Sequence, residues 1–108
     1  MTHEQAYNAT TDYIEKAIQI NLQMGEPQLA YQKHLLLSFA NSLKQKHTDN
    51  KKNLEVLITM TLRAIEVNTD YKEYTQADQL RLIYELATGL QDQCTNDTGN
   101  GQLIELLN

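Results

Sequence analysis

Hydrophobic side chains recur every three or four residues along four stretches of the chain, which is the spacing of amphipathic α-helices. The clearest stretch is Thr75–Gln93, where Thr75 is the expected N-cap and Asp78 its capping partner. We expect this helix to be a packing element, because its inward positions are all apolar. Its stripe consists of Leu80, Ile83, Leu86, Ala87 and Leu90.

Two helices are predicted in the first half of the chain. The first covers Glu4–Met24, and its first two turns are expected to fray or bend because they contain residues that disfavour helix interiors. Gly25 is expected to end this helix, and Pro27 suits the first turn of a second helix over Pro27–Lys46. The short link between them predicts a tight antiparallel hairpin.

A third helix is predicted to start after a cap at Thr48 or Asp49 and to reach Val67. Met60 and Leu62 widen its apolar face, so we expect it to be buried on two sides. Short links force antiparallel neighbours, and the predicted fold is an all-α, antiparallel up-down four-helix bundle. No internal repeat is apparent in the sequence. The residues expected at the centre of the bundle are Leu36, Phe39, Leu57, Ile58, Leu80, Ile83 and Leu86.

The last part of the chain differs from the rest. Residues 95–101 are turn-forming, and residues 102–108 contain four large aliphatic side chains, whose exposure would favour aggregation. We therefore expect a bundle over residues 1–94 and, over residues 95–108, a linker with a short helical tail that folds back. The aliphatic side chains are Leu103, Ile104, Leu106 and Leu107.

Size and charge narrow the possible functions. The 108 residues fit one domain, and the net charge of −5 argues against nucleic-acid binding, which needs a basic face. No stretch approaches the ~18 apolar residues of a membrane span. Because the chain has a single cysteine and no apolar N-terminal run, a cytoplasmic location is expected.

Residues that could carry chemistry are few. His3, His34 and His47 show no Glu-x-x-His spacing, and Cys94 lacks a partner cysteine and a basic neighbour. The sequence therefore predicts no catalytic, metal or cofactor site, and we expect that the chain is not an enzyme.

Up-down topology places the second link at one end of the bundle, together with a group of lysines. Lys51 and Lys52 open a helix against its dipole, which costs stability. The group is either a solvated charge cluster or a patch that docks a partner. The candidate binding residues at this end are Lys44, Lys46, Lys51 and Lys52.

Two tyrosines lie in the third link, where side chains are less often buried than on the inward faces of helices. Tyr71 and Tyr74 either pack at the edge of the core or contact a protein partner, since tyrosine is favoured in both places. The four aliphatic residues of the tail are further candidates for partner binding.

These features together resemble the bacteriocin immunity proteins of Gram-positive bacteria, which protect producers of pediocin-like peptides. The likeness lies in the size, the four helices, Tyr74–Leu80 (YTQADQL), Tyr84–Ala87 (YELA) and the distinct tail. It extends from about Leu29 to the end of the chain.

The resemblance implies a cytosolic antiparallel bundle whose C-terminal segment helps to select the cognate bacteriocin. It also implies a protein partner, the bacteriocin-bound mannose phosphotransferase permease, so that any contact with the membrane would come through that partner. Many members of the family are basic, and the net charge of −5 departs from that pattern. The alternative function is a small cytosolic helical adaptor or antitoxin-like protein-binding module unrelated to bacteriocins.

Overall fold

The computed structural model describes residues 1–94, which form a bundle of four α-helices without strands. These are α1 (His3–Gln23), α2 (Pro27–Lys46), α3 (Asn50–Asp70) and α4 (Tyr74–Gln93). The predicted all-α class is confirmed. The predicted tail, with Leu103, Ile104, Leu106 and Leu107, lies outside the described residues. No helix within residues 1–94 has the length and hydrophobicity that a membrane crossing requires.

The helices alternate in direction, as cross-helix contacts near their ends show. At one end, the amide of Asn21 at the end of α1 lies 3.4 Å from that of Gln79 near the start of α4. At the other end, the thiol of Cys94 contacts the carbonyl oxygen of Thr2 at 3.4 Å. The first and third links therefore lie at one end of the bundle, which we call the acidic end, and the second link lies at the opposite end, which we call the lysine end.

The start of α1 is well ordered by a reciprocal cap. The Thr2 hydroxyl accepts from the Gln5 main-chain N–H at 3.1 Å, and the Gln5 side chain accepts from the Thr2 N–H at 3.0 Å. Ala6, Tyr7 and Thr10 in the first turns are buried, so the predicted fraying is wrong. The Thr10 hydroxyl donates to the Ala6 carbonyl at 2.8 Å, which allows a polar residue to occupy the core.

Asp49 caps α3 as predicted, because its carboxylate accepts a main-chain N–H three residues later at 3.1 Å. The predicted cap of α4 is wrong. The N-cap of this helix is Glu73, two residues before the predicted one, and its side chain makes no capping hydrogen bond. Asp78 pairs instead with Arg81 at 2.8 Å on the exposed surface, and Thr75 already lies inside the first turn.

Both links at the acidic end reverse the chain by the same turn. Gly25 follows α1 with φ of 72°, and Lys72 follows α3 with φ of 62°. In each turn the N–H of the next residue donates to a carbonyl five residues back at 2.8 Å, which is the Schellman arrangement. Glycine adopts this left-handed conformation without strain, whereas the side chain of Lys72 makes it costly.

The structure reveals an internal repeat that the sequence analysis missed. α1 and α3 each contain 21 residues and start 47 residues apart, and α2 and α4 each contain 20 and also start 47 apart. The buried positions match at the same offset although most residue types differ. The matched pairs are Ala6 and Asn53, Tyr7 and Leu54, Thr10 and Leu57, Ile14 and Thr61, Asn21 and Asn68, Ala30 and Ala77, Lys33 and Leu80, Leu36 and Ile83, Ala40 and Ala87.

The core agrees in part with the residues predicted for it. Leu36, Leu57, Leu80 and Ile83 are buried as predicted. The other three predicted residues are only half-buried, because Tyr7 and polar residues of α1 and α3 occupy central space. The half-buried residues are Phe39, Ile58 and Leu86.

The predicted burial of α3 on two sides is also wrong. Met60 and Leu62 are exposed on its outer face, and a single stripe of this helix faces the core. Thr61, within that stripe, is fully buried because its hydroxyl donates to the Leu57 carbonyl at 2.7 Å.

Candidate protein-binding surfaces

A groove opens at the acidic end between the start of α2 and the end of α3. Its volume is about 550 Å³, within the range of small binding sites. We call it the tyrosine cleft, and it is lined by Gln28, Tyr31, Gln32, Val67, Asn68, Tyr71, Glu73 and Gln76.

The apolar side chains of the tyrosine cleft are mostly in contact with water. Tyr71 is 77% exposed, Tyr31 59% and Val67 53%. Tyr71 occupies the C-cap of α3, where the turn directs the chain away from the core. The cleft therefore exposes three apolar side chains among polar ones, and its lining comes from α2, α3, the third link and the start of α4.

Of the two tyrosines predicted to bind a partner, only Tyr71 lines the cleft. Tyr74, at the first position of α4, is also exposed, but it lies outside the cleft lining. Neither residue is buried in the core. Their role in binding a partner stays a prediction.

The acidic end carries several carboxylates because the first and third links both lie there. Glu73 lines the cleft itself, between the C-terminus of α3 and the N-terminus of α4. The exposed members of this group are solvated and screened, so they contribute little to stability. The acidic residues on or beside the first and third links are Glu26, Glu66, Asp70, Glu73 and Asp78.

Two of the four predicted lysines at the opposite end have partners within the protein. Lys44 donates to the side-chain oxygen of Asn8 and lies 3.9 Å from the carboxylate of Glu4. Lys52 lies 3.9 Å from the carboxylate of Glu55, one turn further along α3. Part of the positive charge at this end is therefore compensated locally.

The remaining two lysines, Lys46 and Lys51, are exposed. Lys51 lines a shallow groove with the start of α1 and the second link, and this groove also contains Glu4 and Asp49. The surface is thus of mixed charge rather than uniformly basic. Docking of a partner at these lysines stays a prediction.

The residues considered for chemistry do not converge. The Cys94 thiol is fully buried, 3.2 Å from the Leu90 carbonyl oxygen, while His34 and His47 are exposed. Within residues 1–94, no three histidine, cysteine, aspartate or glutamate side chains come together as metal ligands would.

Sequence reasoning missed Tyr31 and Val67 as members of the tyrosine cleft. Tyr31 immediately follows the inward position at Ala30, and Val67 immediately precedes the inward position at Asn68. Each therefore lies at the margin of its buried stripe. Only the packing of α2 beside α3 brings these two margins together.

Comparison with protein-family models, curated proteins and solved structures finds no match for this chain. The resemblance to bacteriocin immunity proteins therefore stays a prediction from the sequence. The two ends of the bundle are therefore the surfaces that bear on its function.

Proposed function

We propose that this chain is a bacteriocin immunity protein that protects its cell by binding a protein partner through the tyrosine cleft. The partner implied by the resemblance is the mannose phosphotransferase permease carrying its bacteriocin, approached from the cytosolic side. No catalytic step is part of this proposal.

The observation that carries the binding role is the exposure of Tyr71 beside Tyr31 and Val67. Aromatic side chains are enriched in protein interfaces and supply much of the binding energy where they become fully buried. Two aromatic side chains and one valine around one groove form a surface that a partner can cover in a single contact. Because Tyr31 and Val67 lie within helices, their main chain is already ordered before a partner binds.

The experiment is a challenge of a bacteriocin-sensitive strain that expresses the protein. We expect the wild type to raise survival against at least one peptide of a pediocin-like panel. The double variant Tyr31→Ser, Tyr71→Ser should lose most of this protection while keeping its helical content and its unfolding midpoint. Both tyrosines are exposed, so their replacement removes little folding energy.

A matched control is Leu62→Ser, which removes an exposed apolar side chain from α3 outside the cleft. Protection should survive this change. If the wild type protects against no peptide of the panel, the immunity proposal is wrong and an adaptor or antitoxin-like role takes its place. If the wild type protects and the double variant protects equally well, the tyrosine cleft is not the binding surface.

A further inference from the structure

Lys33 is a charged residue at a position that the fold otherwise reserves for apolar side chains. It is only 3% exposed, and the equivalent position in the second helix pair holds the buried Leu80. Burying an ammonium group is costly unless it is paired with an opposite charge. The repeat shows that leucine is compatible with this position, so the bundle geometry does not demand a lysine.

The partners of the Lys33 ammonium are neutral amides. Its Nζ donates to Asn21 Oδ1 at 2.7 Å and to Gln79 Oε1. The nearby carboxylate of Glu26 accepts instead from Asn21 Nδ2 at 3.1 Å. An ammonium has three donors, and residues 1–94 supply hydrogen-bond acceptors for two of them and no ion pair.

Lys33 lines a second groove at the acidic end, between α1 and α4. The groove has a volume of about 290 Å³, and we call it the Lys33 cleft. Its polar groups come from Asn21, Glu26, Lys33 and Gln79, and its other lining residues are Tyr13, Ala17, Ile20, Met24 and Leu82. Ile20, Met24 and Leu82 are each more than half exposed, so the cleft combines a buried cation with an open apolar rim.

The internal repeat makes the Lys33 cleft the counterpart of the tyrosine cleft. At the offset of 47 residues, five positions of one cleft correspond to five of the other. The pairs are Ile20 and Val67, Asn21 and Asn68, Met24 and Tyr71, Glu26 and Glu73, and Gln79 and Gln32. In the tyrosine cleft, Asn68 donates to the Ala64 carbonyl of its own helix at 2.7 Å, and no cation is present among the lining residues. The cation therefore distinguishes two otherwise equivalent sites.

We propose that the Lys33 cleft binds a small monocarboxylate with an apolar chain, of the class of medium-chain fatty acids. The carboxylate accepts a hydrogen bond from Lys33 Nζ, and the chain lies along Ile20, Met24 and Leu82. A bound carboxylate supplies the negative charge that residues 1–94 do not place in contact with the Lys33 ammonium. The small volume of the cleft fits one acyl chain better than a folded partner.

The unliganded site penalises the positive charge of Lys33. Burial lowers the pKa of Lys33, while the negative charge of Glu26 acts in the opposite direction. A carboxylate in the cleft would stabilise the ammonium form further. This inference does not depend on the proposed immunity function.

The test measures the binding of three probes, octanoate, octanol and octylamine, to the full chain by methyl NMR. We expect octanoate to shift the methyl signals of Ile20, Met24 and Leu82 and to bind about tenfold or more tighter than octanol, because its hydrogen bond is charge-assisted. Octylamine should bind more weakly than octanol. In Lys33→Leu, which copies the residue at position 80, octanoate should lose this preference over octanol.

Two further variants keep the test decisive. Ile20→Gln on the exposed rim should weaken the binding of octanoate and octanol alike. This variant tests the site even if Lys33→Leu does not fold. Lys46→Gln removes an exposed lysine of the same helix and should leave octanoate binding unchanged. Equal affinity of the wild type for octanoate and octanol, or methyl shifts at Val67 instead of Ile20, would overturn the proposal.

Discussion

The hydroxyl group of Tyr7 in α1 donates a hydrogen bond to the main-chain carbonyl oxygen of Ala40 in α2, at 2.5 Å. Both residues are fully buried. Removal of the phenol from water raises the pKa of Tyr7 to about 12, because burial penalises the phenolate. This contact joins the two helices close to the lysine end and makes the stability of the fold depend on pH.

The first prediction follows from that pKa. The pKa of Tyr7 is higher in the folded chain than the ordinary value of 10.0, so its contribution to stability is complete below pH 10 and is lost as pH rises towards 12. Between pH 9 and pH 11 we expect a loss of about 1 kcal/mol from this group. Urea unfolding of the wild type and of Tyr7→Phe at both pH values isolates the contribution of Tyr7. All other groups titrate in both proteins, so their effects cancel in the difference. A stability difference between the two proteins that is independent of pH would contradict the prediction.

The second prediction tests the core. Ile83 is fully buried, whereas its neighbour Leu82 is more than half exposed on the same helix. Ile83→Ala should therefore lower the free energy of unfolding by roughly 2–5 kcal/mol, while Leu82→Ala should stay within about 0.5 kcal/mol of the wild type. Chemical denaturation monitored by circular dichroism measures both. Similar losses in the two variants would mean that α4 is rotated from the orientation described.

The sequence was sufficient for the helices because their ends carry strong local signals. Gly25 and Pro27 set the first link, and Asp49 caps α3 as expected. The inward face of α1 was harder to predict, since Thr10 occupies a buried position and satisfies its hydroxyl group through a hydrogen bond. Periodicity of apolar residues cannot detect such positions.

The candidate sites were harder still. Tyr71 was predicted from its place in a link, but Tyr31 and Val67 join it only through the packing of α2 beside α3. Lys33 was missed because a lysine is ordinarily a surface residue. The internal repeat would have revealed it, since Leu80 at the equivalent position marks an inward site. Few of the matched buried pairs are identical, which hides the repeat from inspection of the sequence.

The third prediction concerns the two turns at the acidic end. Lys72 adopts a left-handed conformation, which costs a residue with a side chain about 1–2 kcal/mol. Glycine avoids this cost, but part of the gain in stability is lost because glycine has more conformational freedom in the unfolded state. Lys72→Gly should therefore raise the free energy of unfolding by roughly 0.5–1 kcal/mol. The reciprocal change, Gly25→Ala, should lower it by about 1 kcal/mol, although no atom of residues 1–94 would crowd the new methyl group. The stability changes of the two variants need not be equal in size. A lower free energy of unfolding in Lys72→Gly would contradict the prediction.

The fourth prediction concerns the lysine end. If Lys51 and Lys52 steer a partner, Lys51→Gln, Lys52→Gln should reduce protection of sensitive cells while the unfolding midpoint stays nearly unchanged. Both side chains are exposed, and Lys52 has only a long contact of 3.9 Å with Glu55. The control is Lys16→Gln on the exposed face of α1. Undiminished protection by the double variant would leave these lysines as a solvated cluster.

The last prediction uses the repeat to measure what Lys33 requires from its surroundings. Asn21 and Asn68 occupy equivalent buried positions, but only Asn21 accepts a hydrogen bond from a buried ammonium group. Asn21→Leu leaves that cation with one fewer acceptor, which is costly for a charged group. Asn68→Leu removes only a bond to the Ala64 carbonyl. We therefore expect Asn21→Leu to lose roughly 2 kcal/mol more stability than Asn68→Leu.

The double variant Asn21→Leu, Lys33→Leu completes the cycle. Because it removes the cation together with its acceptor, it should recover most of the stability that Asn21→Leu loses. Denaturant unfolding of the four proteins at neutral pH gives the coupling free energy between positions 21 and 33. Strictly additive losses would show that the two side chains do not depend on each other, and the buried cation would then be tolerated for a reason other than its hydrogen bond to Asn21.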